Sequence, residues 1–228
     1  MKNLAGIIDH TILRSDATWK DILKCCDEGK AYGFYGVCVN GCYVGNVKKE
    51  LAGTPIKVVT VAGFPLGAND TKVKVFEAGL ALAAGADEID MVINIGALKD
   101  KNYKKVEDDI MHVVKSTENG AIIKVILETC LLTNEEIVMG CRCSESAGAS
   151  FVKTSTGFNG SVASEDHVRL MRQTVGSRMQ VKAAGGIRTW EQAISMVSAG
   201  ADRLGCSASV SIIKESMKRK MEGLSGYL

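Results

Sequence analysis

Short apolar runs alternate with amphipathic stretches along the whole chain. The runs fall at 6–9, 35–39, 57–62, 87–93, 122–128, 150–154, 179–184 and 202–206. Those at 57–61 and 122–127 are rich in Val and Ile and bounded by polar residues, the pattern of parallel strands buried on both faces. The segments between them, near 17–32, 43–52, 70–84, 99–118, 133–147, 163–175, 189–199 and 208–221, read as helices. In 70–84 the apolar positions Val73, Phe76, Leu80, Ala83 and Ala84 follow helical spacing. The phrases Ala84-Gly85-Ala86, Ala147-Gly148-Ala149 and Ala199-Gly200-Ala201 repeat one ending, with glycine suited to a left-handed turn after a helix. Thr133 with Glu136 three residues on predicts a capping box. Eight such units in 228 residues average about 28 residues each and predict an α/β TIM (β/α)8 barrel, one domain over 1–228. An open doubly wound sheet would carry a glycine fingerprint after its first strand, and Asp9-His10-Thr11-Ile12 has none.

Three of these runs carry a lysine inside. Lys124, Lys153 and Lys182 stand 29 residues apart each time, about one strand–helix unit, so they are expected at similar places on neighbouring strands. An interior lysine without a partner costs several kcal/mol to desolvate. Three together point to a site that needs cationic groups or an amine with a lowered pKa. Lys153 and Lys182, on adjacent strands, disfavour each other's charge. The one that loses its proton is a nucleophile toward carbonyl carbon, giving a Schiff base that acts as an electron sink. Asp90, in Glu88-Ile89-Asp90-Met91, is placed to move the protons. The competing structural reading is an inert ion-pair cluster of Lys124, Lys153, Lys182, Asp90 and Glu128.

Barrel chemistry sits at the carboxyl ends of strands, and the loops after the seventh and eighth strands frequently hold phosphate. Here those loops read Ala184-Gly185-Gly186 and Gly205-Cys206-Ser207, the second leading into a helix whose amino end favours an anion. Net charge narrows the partners: 28 basic and 26 acidic residues give +2, no case for nucleic acid or an anionic membrane. Hydrophobic residues at 46% and charged residues at 24% fit a soluble protein. No signal peptide is read at the start, and no apolar run approaches the roughly 20 residues that span a bilayer. Eight cysteines without a C-x-x-C pair, and three histidines, read as reduced thiols of a cytoplasmic protein rather than a metal or disulfide framework.

The segments Ile8-Asp9-His10-Thr11, Val37-Cys38-Val39-Asn40, Gly63-Phe64-Pro65-Leu66-Gly67, Glu88 to Asn94, Glu128 to Thr133, Lys153-Thr154-Ser155-Thr156-Gly157-Phe158 and Lys182-Ala183-Ala184-Gly185-Gly186-Ile187-Arg188 together resemble the deoxyribose-phosphate aldolase family, in order from about residue 7 to residue 213. The resemblance implies a class I aldolase, needing no metal or other cofactor, that reversibly cleaves 2-deoxy-D-ribose 5-phosphate to D-glyceraldehyde 3-phosphate and acetaldehyde. It implies that Lys153 forms the Schiff base, that Lys182 perturbs it and assists proton transfer, and that Asp90 is the acid/base group. Gly157, Gly185, Gly186, Gly205 and Ser207 would receive the phosphate. Asp9, at the end of the first strand, and Cys38, Lys124 and Thr154 would support the site. Relatives assemble into homo-oligomers, though no outer face here is marked as an interface. Two positions depart from the family pattern: Gly41 replaces a common proline, and Ala208 removes one hydroxyl from the phosphate loop.

The remaining residues have plainer expectations. His10 orients Asp9 or serves in packing; His112 and His167 lie on helix surfaces; Lys124 and Glu128 pair. Arg188 is a candidate for added charge near the phosphate, Met217 and Met221 pack on the barrel, the final segment reads as a mobile end, and the resemblance makes Tyr227 a candidate to reach over the site. Two rivals stay open: a barrel isomerase or another Schiff-base aldolase with the same phosphate site, and a barrel that binds sugar phosphate without turnover.

Overall fold

The computed structural model describes residues 3–117, 121–158, 160 and 162–222. Eight parallel strands close into a barrel in chain order: β1 (Ile8–Ile12), β2 (Gly36–Val39), β3 (Lys57–Ala62), β4 (Glu88–Val92), β5 (Ile122–Ile126), β6 (Phe151–Lys153), β7 (Gln180–Ala184) and β8 (Arg203–Cys206). The ring closes where β8 pairs with β1, Asp9 opposite Gly205. Among the described residues the outer layer comprises α1 (Trp19–Tyr32), α2 (Val44–Glu50), α3 (Thr71–Ala83), α4 (Ile95–Lys99), α5 (Tyr103–Ser116), α6 (Asn134–Ser146), α7 (Glu165–Val175), α8 (Trp190–Ser198) and α9 (Ser209–Met221). The open sheet is thereby excluded. The first strand begins two residues later than its apolar run, because Ala5–Ile7 form a short 3-10 turn. Asp9 is therefore near the start of β1, not at its end. The stretch 99–118 is preceded by a separate short helix, α4, capped by Asn94.

Local chemistry explains the boundaries. Thr18, Thr133 and Thr189 each cap a helix in a capping box with Asp21, Glu136 and Gln192. The three repeated endings place Gly85, Gly148 and Gly200 at φ of 100°, 83° and 111°. In each, the next alanine N–H donates back to the helix, Ala86 to Ala81, Ala149 to Ser144 and Ala201 to Met196, all at 3.0 Å.

Period-two alternation sorts the strand residues into two environments. Ile8, Val37, Ile89, Val125, Val152, Val181 and Leu204 belong to the main apolar core. Their neighbours Asp9, Glu88, Asp90, Lys124, Lys153, Lys182 and Arg203 are also buried. They form a charged core inside the barrel, capped on one side by a small apolar cluster of Leu13, Cys38 and Val59.

Two outer features place apolar side chains in solvent. The face of α3 carrying Val73, Phe76 and Leu80 points outward, with Phe76 65% exposed, while Lys74, Ala78 and Ala81 face inward. Lys74 is tolerated there because it donates to Asp109 at 2.6 Å and to the Val92 carbonyl at 3.0 Å, which offsets its desolvation. The helical spacing of the stripe holds, but a paired lysine beside small alanines, and not the stripe, forms the buried face. Met217 and Met221 likewise are exposed, 52% and 89%, and do not pack on the barrel.

Candidate active site

Register brings the charged residues together. Lys153 on β6 lies opposite Lys182 on β7, and Lys182 lies opposite Arg203 on β8. Lys124 is opposite Asp90 on one side and Phe151 on the other, so it sits two residues below the Lys153 level. Equal spacing in sequence did not give equal height, because strands in a closed barrel are staggered.

One carboxylate ties the lysines. Asp90 Oδ1 accepts from Lys124 at 2.7 Å; its Oδ2 accepts from both Lys153 and Lys182 at 2.8 Å. Lys182 has a second carboxylate in Asp9, and Lys124 a second in Glu88 at 2.7 Å. Arg203 bridges Asp9 and Glu88, 3.0 Å from each. Its guanidinium also lies 3.3 Å from the centre of the Tyr35 ring, whose hydroxyl donates to Glu88 at 2.9 Å. Four basic groups thus share three carboxylates. Among the described residues, Lys153 is the member with a single carboxylate partner, and it shares that oxygen with Lys182.

The protonation states follow. Burial pushes the Lys153 ammonium down; Asp90 pulls it back and the Lys182 charge pushes it down again, leaving it below the usual lysine value. Burial opposes the Lys182 charge too, but Asp9 and Asp90 outweigh it and Lys182 is raised. Asp90 would be raised by burial, yet Lys124, Lys153 and Lys182 hold it well below the carboxylate range. The two lysines therefore diverge as the sequence suggested, with burial a larger cause than their mutual repulsion. Asp90 stays a carboxylate, which makes it a poor proton donor by itself.

Above this cluster opens a cleft of about 720 Å³, lined among others by Lys153, Gly157, Phe158, Gly185, Gly186, Arg188, Gly205 and Ser207. Lys153 enters it, while Lys182, Lys124, Asp90 and Asp9 lie sealed beneath at no more than 1% side-chain exposure. Gly186 has φ of 70°, and a Cβ there would stand 2.9 Å from Val162. Gly205 has a second reason to be glycine: a Cβ would meet the Lys182 Cε at 3.1 Å. On the far side of Asp9, a Cβ on Gly36 would meet the Asp9 carboxylate at 3.1 Å. Ser207 precedes α9, which starts without a side-chain cap. Thr154 fastens β6 to β7, donating to the Ala184 carbonyl at 2.8 Å and accepting its N–H at 3.0 Å. Cys38 is buried in the apolar wall, and burial pushes its thiol up to about 11.

Some expectations change. Lys124 pairs with Glu88 and Asp90, whereas Glu128 accepts from the Thr156 hydroxyl and N–H. His10 keeps the packing and hydrogen-bonding role expected of it and does not orient Asp9. Its ring joins Glu28 at 2.8 Å and Ser209 at 3.0 Å, because adjacent strand residues face opposite ways. Arg188 lines the cleft with its side chain exposed. The final segment, Tyr227 included, lies outside the described residues. Sequence reasoning missed Glu88, Arg203 and Tyr35. The signal for Glu88 was its period-two partnership with Asp90 across Ile89; Arg203, beginning an apolar strand, had the same mark.

Buried lysines meeting beneath a glycine-rimmed cleft define a β/α-barrel enzyme equipped for amine–carbonyl chemistry. Sequence comparison gives that class a family. The model of the DeoC/LacD family aldolases matches residues 4–215, and the chain belongs to this family. It is 56% identical over 216 residues to the deoxyribose-phosphate aldolase of Thermococcus kodakarensis, covering 93% of this chain and 96% of that one. With the Clostridium novyi enzyme of the same name it shares 53% identity over 212 residues, 93% and 96% of the two chains. A solved tetrameric deoxyribose phosphate aldolase from Aeropyrum pernix superposes with a TM-score of 0.87 at 33% identity, covering 94% and 91%.

Proposed function

We propose that this aldolase acts on 2-deoxy-D-ribose 5-phosphate through a Schiff base on Lys153, releasing acetaldehyde and D-glyceraldehyde 3-phosphate, and runs the reverse addition as well. The observation that carries the reading is the sharing of Asp90: Lys153 is the third ammonium on one carboxylate and the lysine that reaches the cleft. With Lys153 neutral, the remaining three cations balance Asp9, Glu88 and Asp90.

In this reading the neutral Lys153 amine adds to the C1 carbonyl of the open-chain sugar, and loss of water gives the protonated imine. The C3 hydroxyl gives up its proton, the C2–C3 electron pair flows into the imine, and the triose phosphate departs. The enamine left on Lys153 takes a proton at C2, and water then releases acetaldehyde. Lys182, held protonated, is the nearest proton store. Asp90 passes protons by way of the lysines on its Oδ2 rather than as a free acid. The electron sink is the lysine imine, so the scheme calls for no metal or cofactor. Gly157, Gly185, Gly186, Gly205 and Ser207 hold the phosphate by backbone N–H groups, with the amino end of α9 and Arg188 adding favourable charge. Thr154, Cys38, Lys124 and Asp9 shape and hold the charged floor.

The outward stripe of Val73, Phe76 and Leu80 supports self-association into a homo-oligomer. We propose a cytoplasmic location from the eight free cysteines, as expected of reduced thiols; separately, no helix among the described residues is long and apolar enough to cross a membrane. The test of the main reading is acetaldehyde with borohydride followed by peptide mass mapping. An ethyl group on Lys153, lost in Lys153→Ala, is expected; modification elsewhere, or none with full activity, refutes it. An isomerase would form no reducible imine, and a mere binder would show no turnover.

A further inference from the structure

We propose that Arg203 is a positioning residue that keeps Lys153 free of its proton, by occupying carboxylates that would otherwise release Asp90 to hold a Lys153 ammonium. The inference rests on the Schiff-base reading above and adds to it a residue that touches neither the cleft nor the substrate.

Arg203 sits at the first position of β8, level with Lys182, with its side chain 7% exposed. It draws on Asp9 Oδ1 and Glu88 Oε2 at once, and that Glu88 oxygen is the one Lys124 also uses. Lys124 and Lys182 consequently have only part shares in Glu88 and Asp9, and both lean on Asp90. Asp90 is thereby saturated on both oxygens before Lys153 is counted. The groups facing Lys153 from the surrounding strands are Asp90 on β4, Lys182 on β7 and the neutral thiol of Cys38 on β2. Those facing Arg203 are Asp9 on β1, Glu88 on β4 and the Tyr35 phenol beside β2, which burial and Glu88 keep protonated. Guanidinium is the one basic side chain that does not surrender its proton near neutrality. Of the four cations, Arg203 is therefore fixed, and the deficit of negative charge falls on the lysine with the fewest partners. Stacking on Tyr35 at 3.3 Å and the tie from Tyr35 to Glu88 hold the guanidinium in this bridging pose.

Removing the Arg203 charge changes the balance to three cations on three carboxylates. Lys182 then takes Asp9 fully, Lys124 takes Glu88 fully, and Asp90 is left to stabilise a charged Lys153. Removing a carboxylate does the reverse. The two substitutions therefore predict opposite shifts, which a merely structural role would not produce.

The experiment measures kcat/KM for cleavage of 2-deoxy-D-ribose 5-phosphate against pH and locates the acid limb, which reports ionisation in the free enzyme. In Arg203→Met the limb is expected to move up by about one pH unit. Arg203→Lys, which keeps the charge, is expected to leave it near the wild-type position. Glu88→Gln is expected to move it down. A limb that stays or falls in Arg203→Met, or that rises in Glu88→Gln, overturns the proposal. Should Arg203→Met fail to fold, Glu88→Gln decides alone, and an unmoved or raised limb overturns it. Borohydride trapping of the wild type separates the two levels. Label elsewhere than Lys153 defeats the Schiff-base reading itself; label on Lys153 without the opposed shifts defeats only the role of Arg203.

Discussion

Replacing Lys182 with methionine tests how much of the Lys153 reactivity comes from its neighbour. Both nitrogens lie 2.8 Å from the same Asp90 oxygen, so they stand no more than about 5.6 Å from each other, where like charges at an effective dielectric near 20 repel by roughly 3–4 kcal/mol. That corresponds to a ceiling of about 2–3 pH units in the ionisation of Lys153. Removing the Lys182 cation makes protonation of Lys153 easier, so its pKa rises and the neutral amine appears only at higher pH. Asp9 and Asp90, each relieved of one partner, push the same way. Burial is the larger cause of the Lys153 shift, and methionine leaves it in place, so only the charge share is recovered. The acid limb of kcat/KM is therefore expected to rise by between one and about three units, alongside a fall in kcat from the lost proton donor. The position of the limb, not its height, is the readout, because general damage to the site lowers activity at every pH without moving it. A limb displaced by less than about half a unit, or displaced downward, would show that burial alone sets the amine.

Three further outcomes follow from particular contacts. Asp90→Asn removes the one group that three lysines share; kcat is expected to fall by about 10²–10⁴-fold, with the KM of the phosphorylated sugar changing far less, in steady-state assays with and without the phosphate. Gly186→Ala puts a side chain at φ of 70° and 2.9 Å from Val162. A strain of about 1–2 kcal/mol in the phosphate loop is expected to raise KM for the phosphorylated sugar about tenfold, and unphosphorylated deoxyribose should be spared. Lys74→Met strands a buried Asp109 with Thr71 as its one remaining side-chain partner among the described residues. Urea unfolding is expected to show a loss of about 3–5 kcal/mol with kcat nearly unchanged; a loss below about 1 kcal/mol would mean that the pair contributes little.

The sequence shows an outer boundary of the fold more clearly than an inner one. Strand runs and helix spacing recover all eight strands and the glycine endings, because both depend on local pattern and on turn chemistry that a short segment carries by itself. The inward stripe of α3 was not legible, since Val73, Phe76 and Leu80 form the more apolar face and yet lie outside. What places Lys74 inward is a carboxylate 35 residues away in the chain, and no local pattern contains it. The height of Lys124 is lost for a similar reason, as strand stagger is a property of closure and not of any one unit. The site divides along the same line. Lys153, Lys182 and Asp90 were readable because a charge inside an apolar run is conspicuous. Glu88 and Arg203 carry the same mark but stand at the edges of their runs, where a polar residue looks like a boundary. Glycine was read for one purpose where the structure shows a second. Gly205 was assigned to phosphate, while its Cβ would also collide with Lys182, and Gly36 passed unnoticed although it makes room for Asp9. Asp9 lies opposite Gly36 on one side and Gly205 on the other. This setting of a carboxylate between two glycines on adjoining strands becomes visible only once register pairs residues that are distant along the chain.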